Sequence, residues 1–408
     1  MTEIVTIIGV GHSGDGIAET PTGRVFVPLT LRGEVAEVER DGGRARLVRL
    51  IASSNERVAP VCRHFGQCGT CAVEHWHGTA YLAWKRDLVA AAFRQRGITI
   101  EIEPLVPIGL GTRRRAILSM VKTARGVILG FHRRGSNEIV RIEECAVLLP
   151  AIVAELETLR AIVNAAMEPG RPGRLFAVLA DNGLDIALQG AGRLERPAIE
   201  ALGGFARNSA VARLTVDGTA VFQNRRPEIV ADGITLLPVP AGFLQAAAAA
   251  ESALAAAVLG HVGGTAPVAD LFAGIGTFTL RLAKRAAVTA VDGETELLQA
   301  LDAAARRTSR LKPITARKRD LFRNPLAPAE LKPFGAVVFD PPATGAKVQS
   351  EALAASSVEK VVAVSCNPAT LARDARILID GGYRLTRVQP VDQFLFSADV
   401  EVVATFER

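Results

Sequence analysis

Cysteine is sparse, with five in 408 residues, and the number is odd. A secreted disulfide framework is denser, even-numbered and housed in a shorter chain, so disulfides are not expected to hold this protein together. Long hydrophobic runs are also lacking. Apolar residues make up 49% of the chain, yet its longest alanine-rich stretch, Ala246–Ala250, meets Glu251. That stop comes well before the roughly 20 residues a bilayer span requires, so no membrane association is expected. The opening Met1-Thr2-Glu3-Ile4-Val5 has neither the basic start nor the apolar core of an export signal, and a cytoplasmic location is expected. No internal repeat is evident. Nor is there a strong excess of one charge: 48 Lys+Arg stand against 42 Asp+Glu, a formal +6 that points only weakly to a polyanionic partner. What is present is a globular composition, with 22% charged residues, and enough length for about two to three domains, each with its own core.

The placement of the cysteines says more than their number. Cys62, Cys68 and Cys71 crowd one segment with C-x5-C-x2-C spacing, Cys145 lies far downstream, and Cys366 stands near the carboxyl end. Gly66 and Gly69 free the backbone to curl, so three thiols can converge on one centre that Cys145 completes. A tetrahedral zinc usually shows two short pairs. Three clustered thiols plus one remote fit better with a [4Fe–4S] cube whose fourth corner is closed by another segment. The competing reading is a set of ordinary buried free thiols.

Along the chain the patterning changes twice. Short apolar runs at Ile4–Ile8, Arg24–Val27 and Arg44–Leu50, separated by glycine turns, predict a small β-barrel over residues 1–54. Residues 55–233 hold the cysteines, a helix expected over Thr79–Arg96, another over Ala151–Ala166, and short strands such as Ala116–Val121 and Phe176–Ala180, an α+β region. From residue 234 to 408, strands and helices alternate: Val268–Phe272, Val288–Val291, Val337–Phe339 and Val361–Val364 each precede a helix. Such alternation predicts an α/β, Rossmann-like domain with a mostly parallel sheet covered on both faces.

Two glycines join the first of these strands to its helix in Asp270-Leu271-Phe272-Ala273-Gly274-Ile275-Gly276-Thr277. They let a ligand approach the backbone closely, and Asp292, about 20 residues further on, ends the second strand with a carboxylate suited to ribose hydroxyls. A dinucleotide loop would place a third glycine where Thr279 stands, so a diphosphate is disfavoured. S-adenosylmethionine, which has no phosphates, fits what remains: Asp270 near its amino-acid end, Asp292 on the ribose and Asp320 near the adenine. Asp340-Pro341-Pro342 ends a later strand at the same sheet edge.

Val364-Ser365-Cys366-Asn367-Pro368 puts a thiol at that edge as well. C5 of uracil is a poor nucleophile, and adding a thiolate across C6 turns it into an enolate carbon. A base must later remove the C5 proton, and Glu401 on the last strand is the candidate. A buried structural cysteine is the alternative at position 366.

Together these residues resemble the uracil-5 RNA methyltransferases, most closely the iron–sulfur branch that modifies 23S ribosomal RNA. The resemblance spans nearly the whole chain. Gly14-Asp15-Gly16 and Val25-Phe26-Val27-Pro28 are similar to the family's OB-like TRAM barrel, and the most specific match is Val364-Ser365-Cys366-Asn367-Pro368-Ala369-Thr370-Leu371-Ala372-Arg373-Asp374. The resemblance implies Cys366 as nucleophile, Glu401 as base, and Cys62, Cys68, Cys71 and Cys145 as [4Fe–4S] ligands. It places cofactor contacts at Gln245, Phe272, Gly274, Thr277, Asp292, Asp320 and Asp340. Ala247, Ala343 and Asp399 depart from the family's usual asparagine, arginine and histidine, and Thr277 replaces a frequent asparagine. RNA, by resemblance 23S rRNA, is the expected partner, acted on by a monomer. A transfer RNA substrate or a noncatalytic iron–sulfur RNA-binding protein are the rivals. A radical adenosylmethionine enzyme would space its cysteines C-x3-C-x2-C, which this chain does not.

Overall fold

The computed structural model describes residues 2–264 and 267–408. Met1, Thr265 and Ala266, the first residue of the expected barrel and two of the expected methyltransferase domain, lie outside the described residues. Strands β1 (Thr2–Val10), β2 (Gly16–Thr20), β3 (Gly23–Val27), β4 (Val35–Asp41) and β5 (Arg44–Ala52) close into a barrel in the order β1-β2-β3-β5-β4. Alternation turns Val5, Ile7, Ala18, Val25, Val27, Ala36 and Val38 inward. β2 and β4 escape the apolar-run reading because their outward positions carry Glu19, Glu37 and Glu39.

After the cysteine segment comes α1 (Gly78–Arg94), which ends slightly before the expected Arg96, with Gly97 taking a φ of 67° just beyond it. Its Val89 and Phe93 are buried in one core with Leu271 and Phe339 of the carboxyl-terminal sheet and with Leu371 of a helix that covers it. Seven strands then follow: β6 (Arg115–Thr123), β7 (Gly126–His132), β8 (Ile139–Arg141), β9 (Pro172–Ala180), β10 (Gly183–Gln189), β11 (Val211–Val216) and β12 (Thr219–Gln223). They form one sheet, β12-β11-β10-β9-β6-β7-β8, antiparallel except where β10 meets β11. Helices α2 (Pro150–Ala154), α3 (Leu156–Ala166) and α4 (Arg196–Arg207) accompany it. The single helix expected over Ala151–Ala166 is broken at Glu155, whose ψ of 5° leaves helical geometry. A hairpin of β13 (Ile229–Ala231) and β14 (Ile234–Leu236) leads on.

The last unit runs α5 (Ala248–Val262), β15 (Val268–Leu271), α6 (Thr279–Leu282), β16 (Val288–Asp292), α7 (Thr295–Arg307), β17 (Ile314–Lys318), α8 (Pro328–Leu331) and β18 (Ala336–Phe339). It continues through α9 (Lys347–Ala354), β19 (Lys360–Ser365), α10 (Pro368–Asp380), β20 (Arg384–Val391) and β21 (Glu401–Glu407). The sheet order is β17-β16-β15-β18-β19-β21-β20, with β21 antiparallel to both neighbours. β15 and β18 are buried at every position, as strands covered on both faces must be. β17 is the edge strand and carries Arg317 and Lys318, which hides it from an apolar-run reading. The winding reverses between β15 and β18, and open α/β sheets bind ligands in the crevice beyond such a switch. Among the described residues no helix is long and apolar enough to cross a membrane.

Candidate active site

The loop after β15 enters the crevice through a backbone that few residues tolerate. Phe272 holds a φ of 59°, a left-handed conformation rare outside glycine, and its ring packs 5.3 Å from that of Phe322. At Gly276 φ is 93°, and a Cβ would stand 2.3 Å from Leu301 Cδ1, so only glycine fits between this loop and α7. Gly274 N–H donates to Asp292 Oδ2 at 2.9 Å, while Asp292 Oδ1 accepts from Glu294 N–H at 2.9 Å. Asp292 thus ties the glycine loop to the end of β16. Each of its oxygens keeps a second acceptor site.

Phe272, Gly274, Asp292, Asp320, Asp340, Cys366 and Glu401 line a single cavity of about 510 Å³, a size typical of small-ligand sites. Phe243, Glu294, Leu297, Leu321, Phe322 and Phe394 also line it. The sequence reading missed these six. Phe243 alone carried a local signal, two residues before Gln245. Gln245 lies behind the wall, 1% exposed, and its Nε2 donates to Asp340 Oδ2 at 3.1 Å. Two expectations shift. Thr277 is not among the lining residues, and its carbonyl accepts from Arg281 at 2.7 Å. Asp270, expected at the ligand's amino-acid end, is sealed beneath the loop, where Oδ2 accepts from the Thr279 hydroxyl and Oδ1 has no partner. Burial pushes its carboxyl up to about 7.

Cys366 occupies the turn between β19 and α10. Asn367 caps the helix, accepting from Ala369 N–H at 3.0 Å and Thr370 N–H at 3.4 Å, and Pro368 pre-sets the first helical φ. The Asn-Pro pair therefore fixes the thiol at the sheet edge. Cys366 faces a second space too, an open groove of about 810 Å³ bordered by His12 and Ser13 of the barrel, Leu88 and Ala91 of α1, Gln95 just beyond it, and Ala343, Phe394 and Asp399. Burial, with the carboxylates of Glu401 and Asp340, pushes the thiol up to about 12. Glu401, 2% exposed at the start of β21, is itself raised well above the usual carboxylate range by burial and by Asp340. Asp340 rises to about 7 through burial and the Asp270 carboxylate. The resting site is thus a thiol beside mutually repelling acids.

Away from the crevice, Cys62, Cys68, Cys71 and Cys145 line one pocket with Phe65, Phe131, Ile142 and Val147. Gly69 lets the segment press against β7 and the turn after it, since a Cβ there would stand 2.8 Å from the His132 carbonyl and the Arg134 nitrogen. Burial raises Cys62, Cys71 and Cys145 above ordinary thiols. Among the described residues, however, no group of three or more His, Cys, Asp or Glu side chains is arranged to hold a metal ion. The expected four-thiolate metal centre is not formed as such: the sulfurs border a common space without converging on a point. A tetrahedral zinc, with Zn–S near 2.3 Å, would need that convergence.

No family model matches the chain. Curated relatives do, end to end. The chain is 49% identical to an RNA methyltransferase of Brucella suis over 99% of this chain and 97% of that protein. It is 46% identical to another from Rhizobium meliloti over the full length of both. The chain belongs to the RNA methyltransferases. At 35% identity, over 99% of the enzyme and 95% of the relative, it also matches the 23S rRNA (uracil(1939)-C(5))-methyltransferase RlmD of Edwardsiella ictaluri. Its fold is that of the Pyrococcus abyssi tRNA (uracil-54, C5)-methyltransferase solved with S-adenosyl-L-homocysteine, with a TM-score of 0.77 and 21% identity over 99% of both chains. The enzyme therefore has a class I methyltransferase fold with a small barrel attached.

Proposed function

We propose that the enzyme methylates C5 of a uridine in RNA, with S-adenosylmethionine as methyl donor. The observation that carries this reading is the position of Cys366, which opens on two cavities at once. The smaller, built on the glycine loop, suits the donor: Asp292 takes the ribose hydroxyls, Phe272 and Phe322 hold the adenine region with Asp320, and Asp340 faces the sulfonium. The larger groove takes the target base, turned out of its RNA between the barrel and α1. The 35% identity with RlmD points to 23S rRNA as the substrate.

In this mechanism the Cys366 thiol first releases its proton to solvent water in the open groove it borders, a step eased when a cationic sulfonium offsets Asp340 and Glu401. Its thiolate adds to C6, and the C5–C6 π pair moves toward O4 as an enolate. C5 then forms its bond to the methyl carbon, and the carbon–sulfur pair leaves with S-adenosylhomocysteine. Glu401 removes the C5 proton, the freed pair restores the C5–C6 double bond, and Cys366 departs as thiolate.

The TRAM-like barrel contributes His12 and Ser13 to the RNA groove. Cys62, Cys68, Cys71 and Cys145, which line one pocket with apolar walls, would hold a [4Fe–4S] cluster through their thiolates. Such a cluster would brace this part of the fold, and no step of the reaction needs its electrons.

The test is incubation of the enzyme with S-adenosylmethionine and unmodified ribosomal or transfer RNA, with 5-methyluridine mapped by mass spectrometry. RNA carrying 5-fluorouridine should additionally give a denaturation-resistant protein–RNA adduct, because fluorine at C5 cannot leave as a proton. Absence of both product and adduct on every RNA tried overturns the reading. Asp292→Ala removes both the ribose acceptor and the tie to Gly274, and should weaken S-adenosylhomocysteine binding by about 10–100-fold in calorimetric titration.

A further inference from the structure

Gln393 lies just before the loop that leads into β21, 3% exposed and within hydrogen-bonding reach of three partners. Its Oε1 accepts from the Ala246 backbone N–H at 2.9 Å. That bond fixes which end of the amide is which, because only the carbonyl can meet an N–H donor. Its Nε2 therefore carries the two donors, one to Glu401 Oε2 at 2.9 Å and one to Gln245 Oε1 at 2.7 Å. Gln245 is oriented in turn: with its oxygen engaged, its own Nε2 faces Asp340 at 3.1 Å. Two buried amides, far apart in sequence, thus form a directed chain that joins Glu401 and Asp340, two acids of the donor cavity.

We propose that Gln393 is a positioning residue for methyl transfer: it aims the Glu401 carboxylate at the C5 proton and couples it, through Gln245, to Asp340 in the donor pocket. The inference rests on the C5 chemistry proposed above. Its physical basis is that a carboxylate accepting an N–H donor is held both in place and in its ionised form, the form a general base requires. The opposing influences on Glu401 are burial, Asp340 from the end of β18, and Asp399 from the preceding loop, and the Cys366 thiolate, once formed at the end of β19, adds a like charge. Against them Gln393 is the side chain that donates to Glu401. A methionine of similar length would fill the space and remove the donor.

The test uses the full-length enzyme, ordinary uridine RNA and two variants, Gln393→Met and Gln393→Glu, each checked for folding by circular dichroism. In Gln393→Met, kcat near neutral pH should fall about 10–100-fold, the worth of a hydrogen bond to a charged group, while KM for RNA and donor stays close to wild type. The rising limb of kcat against pH should move upward by about one unit or more, since losing the donor raises the Glu401 pKa. A denaturation-resistant adduct with methylated RNA should accumulate, because bond formation proceeds while proton removal stalls. Gln393→Glu sets a third carboxylate beside Glu401 and should move the limb further still, so either variant reads the effect if the other fails to fold. A wild-type pH limb with no adduct overturns the assignment, even if kcat falls. If the wild-type enzyme itself gives neither 5-methyluridine nor a fluorinated-RNA adduct, the proposed C5 chemistry has failed instead.

Discussion

Replacing Cys366 with alanine should lower 5-methyluridine formation by at least about 10⁴-fold, the order of loss seen when an essential nucleophile is removed. S-adenosylhomocysteine binding should change little in the same variant, because the donor cavity keeps its glycine loop, Asp292, Asp320 and the facing Phe272 and Phe322 rings. The contrast is what makes the experiment decisive. An inert structural cysteine would lose stability on truncation and retain turnover. A nucleophile retains the fold, since Asn367 and Pro368 still build the turn into α10, and loses turnover together with the fluorinated-RNA adduct. Quantitative mass spectrometry of the RNA, beside calorimetry on the protein, reads both halves. Product from Cys366→Ala at a rate near wild type would exclude the covalent route.

Asp392→Ala should destabilise the enzyme by about 3–5 kcal/mol, measured by denaturant unfolding, because it strands a buried charge. Lys85 on α1 and Asp392 after β20 are both fully buried and form an ion pair. The Tyr81 hydroxyl sits 2.8 Å from Asp392 Oδ2 and accepts from Phe396 N–H at 2.9 Å, while Lys85 Nζ donates to the Phe394 carbonyl at 2.8 Å. Burial alone pushes Lys85 toward its neutral form, and Asp392 is the group that opposes this. The pair pins the loop that holds Gln393 and Phe394 and runs into Glu401. The same loop receives two N–H donors from the cysteine segment, Ala72 and Val73 on the Phe396 carbonyl. Turnover should therefore fall along with stability, and Lys85→Met, which strands Asp392 in its place, should reproduce both losses. Wild-type unfolding free energy in both variants would show that the pair contributes nothing net.

Much of the candidate site is legible as local chemistry. Asp270 through Thr277 announces a tight strand-to-helix turn, Asp292 ends the next strand, and Cys366-Asn367-Pro368 couples a thiol to a helix cap. Each is a spacing of a few residues whose meaning follows from backbone geometry. The same local reading puts Asp270 at the ligand. Spacing reports that a residue lies beside the turn but not whether its side chain faces the cavity or the core beneath, where Thr279 engages Asp270. Strands β2, β4 and β17 went unseen for a related reason: their polar outward positions interrupt the apolar run, although their inward positions are packed.

By itself the sequence determined the strand–helix alternation, the two changes of pattern along the chain, and the residues at which a cofactor loop, a carboxylate and a thiol reach one sheet edge, because these depend on periodicity and turn chemistry between near neighbours. Tertiary structure alone decided that α1 packs against the methyltransferase core, that Cys366 faces two cavities, and that Gln245 meets Gln393. Those contacts depend on the order of strands in the sheet and on side chains interlocking across loops, and neither is written in the spacing of adjacent residues.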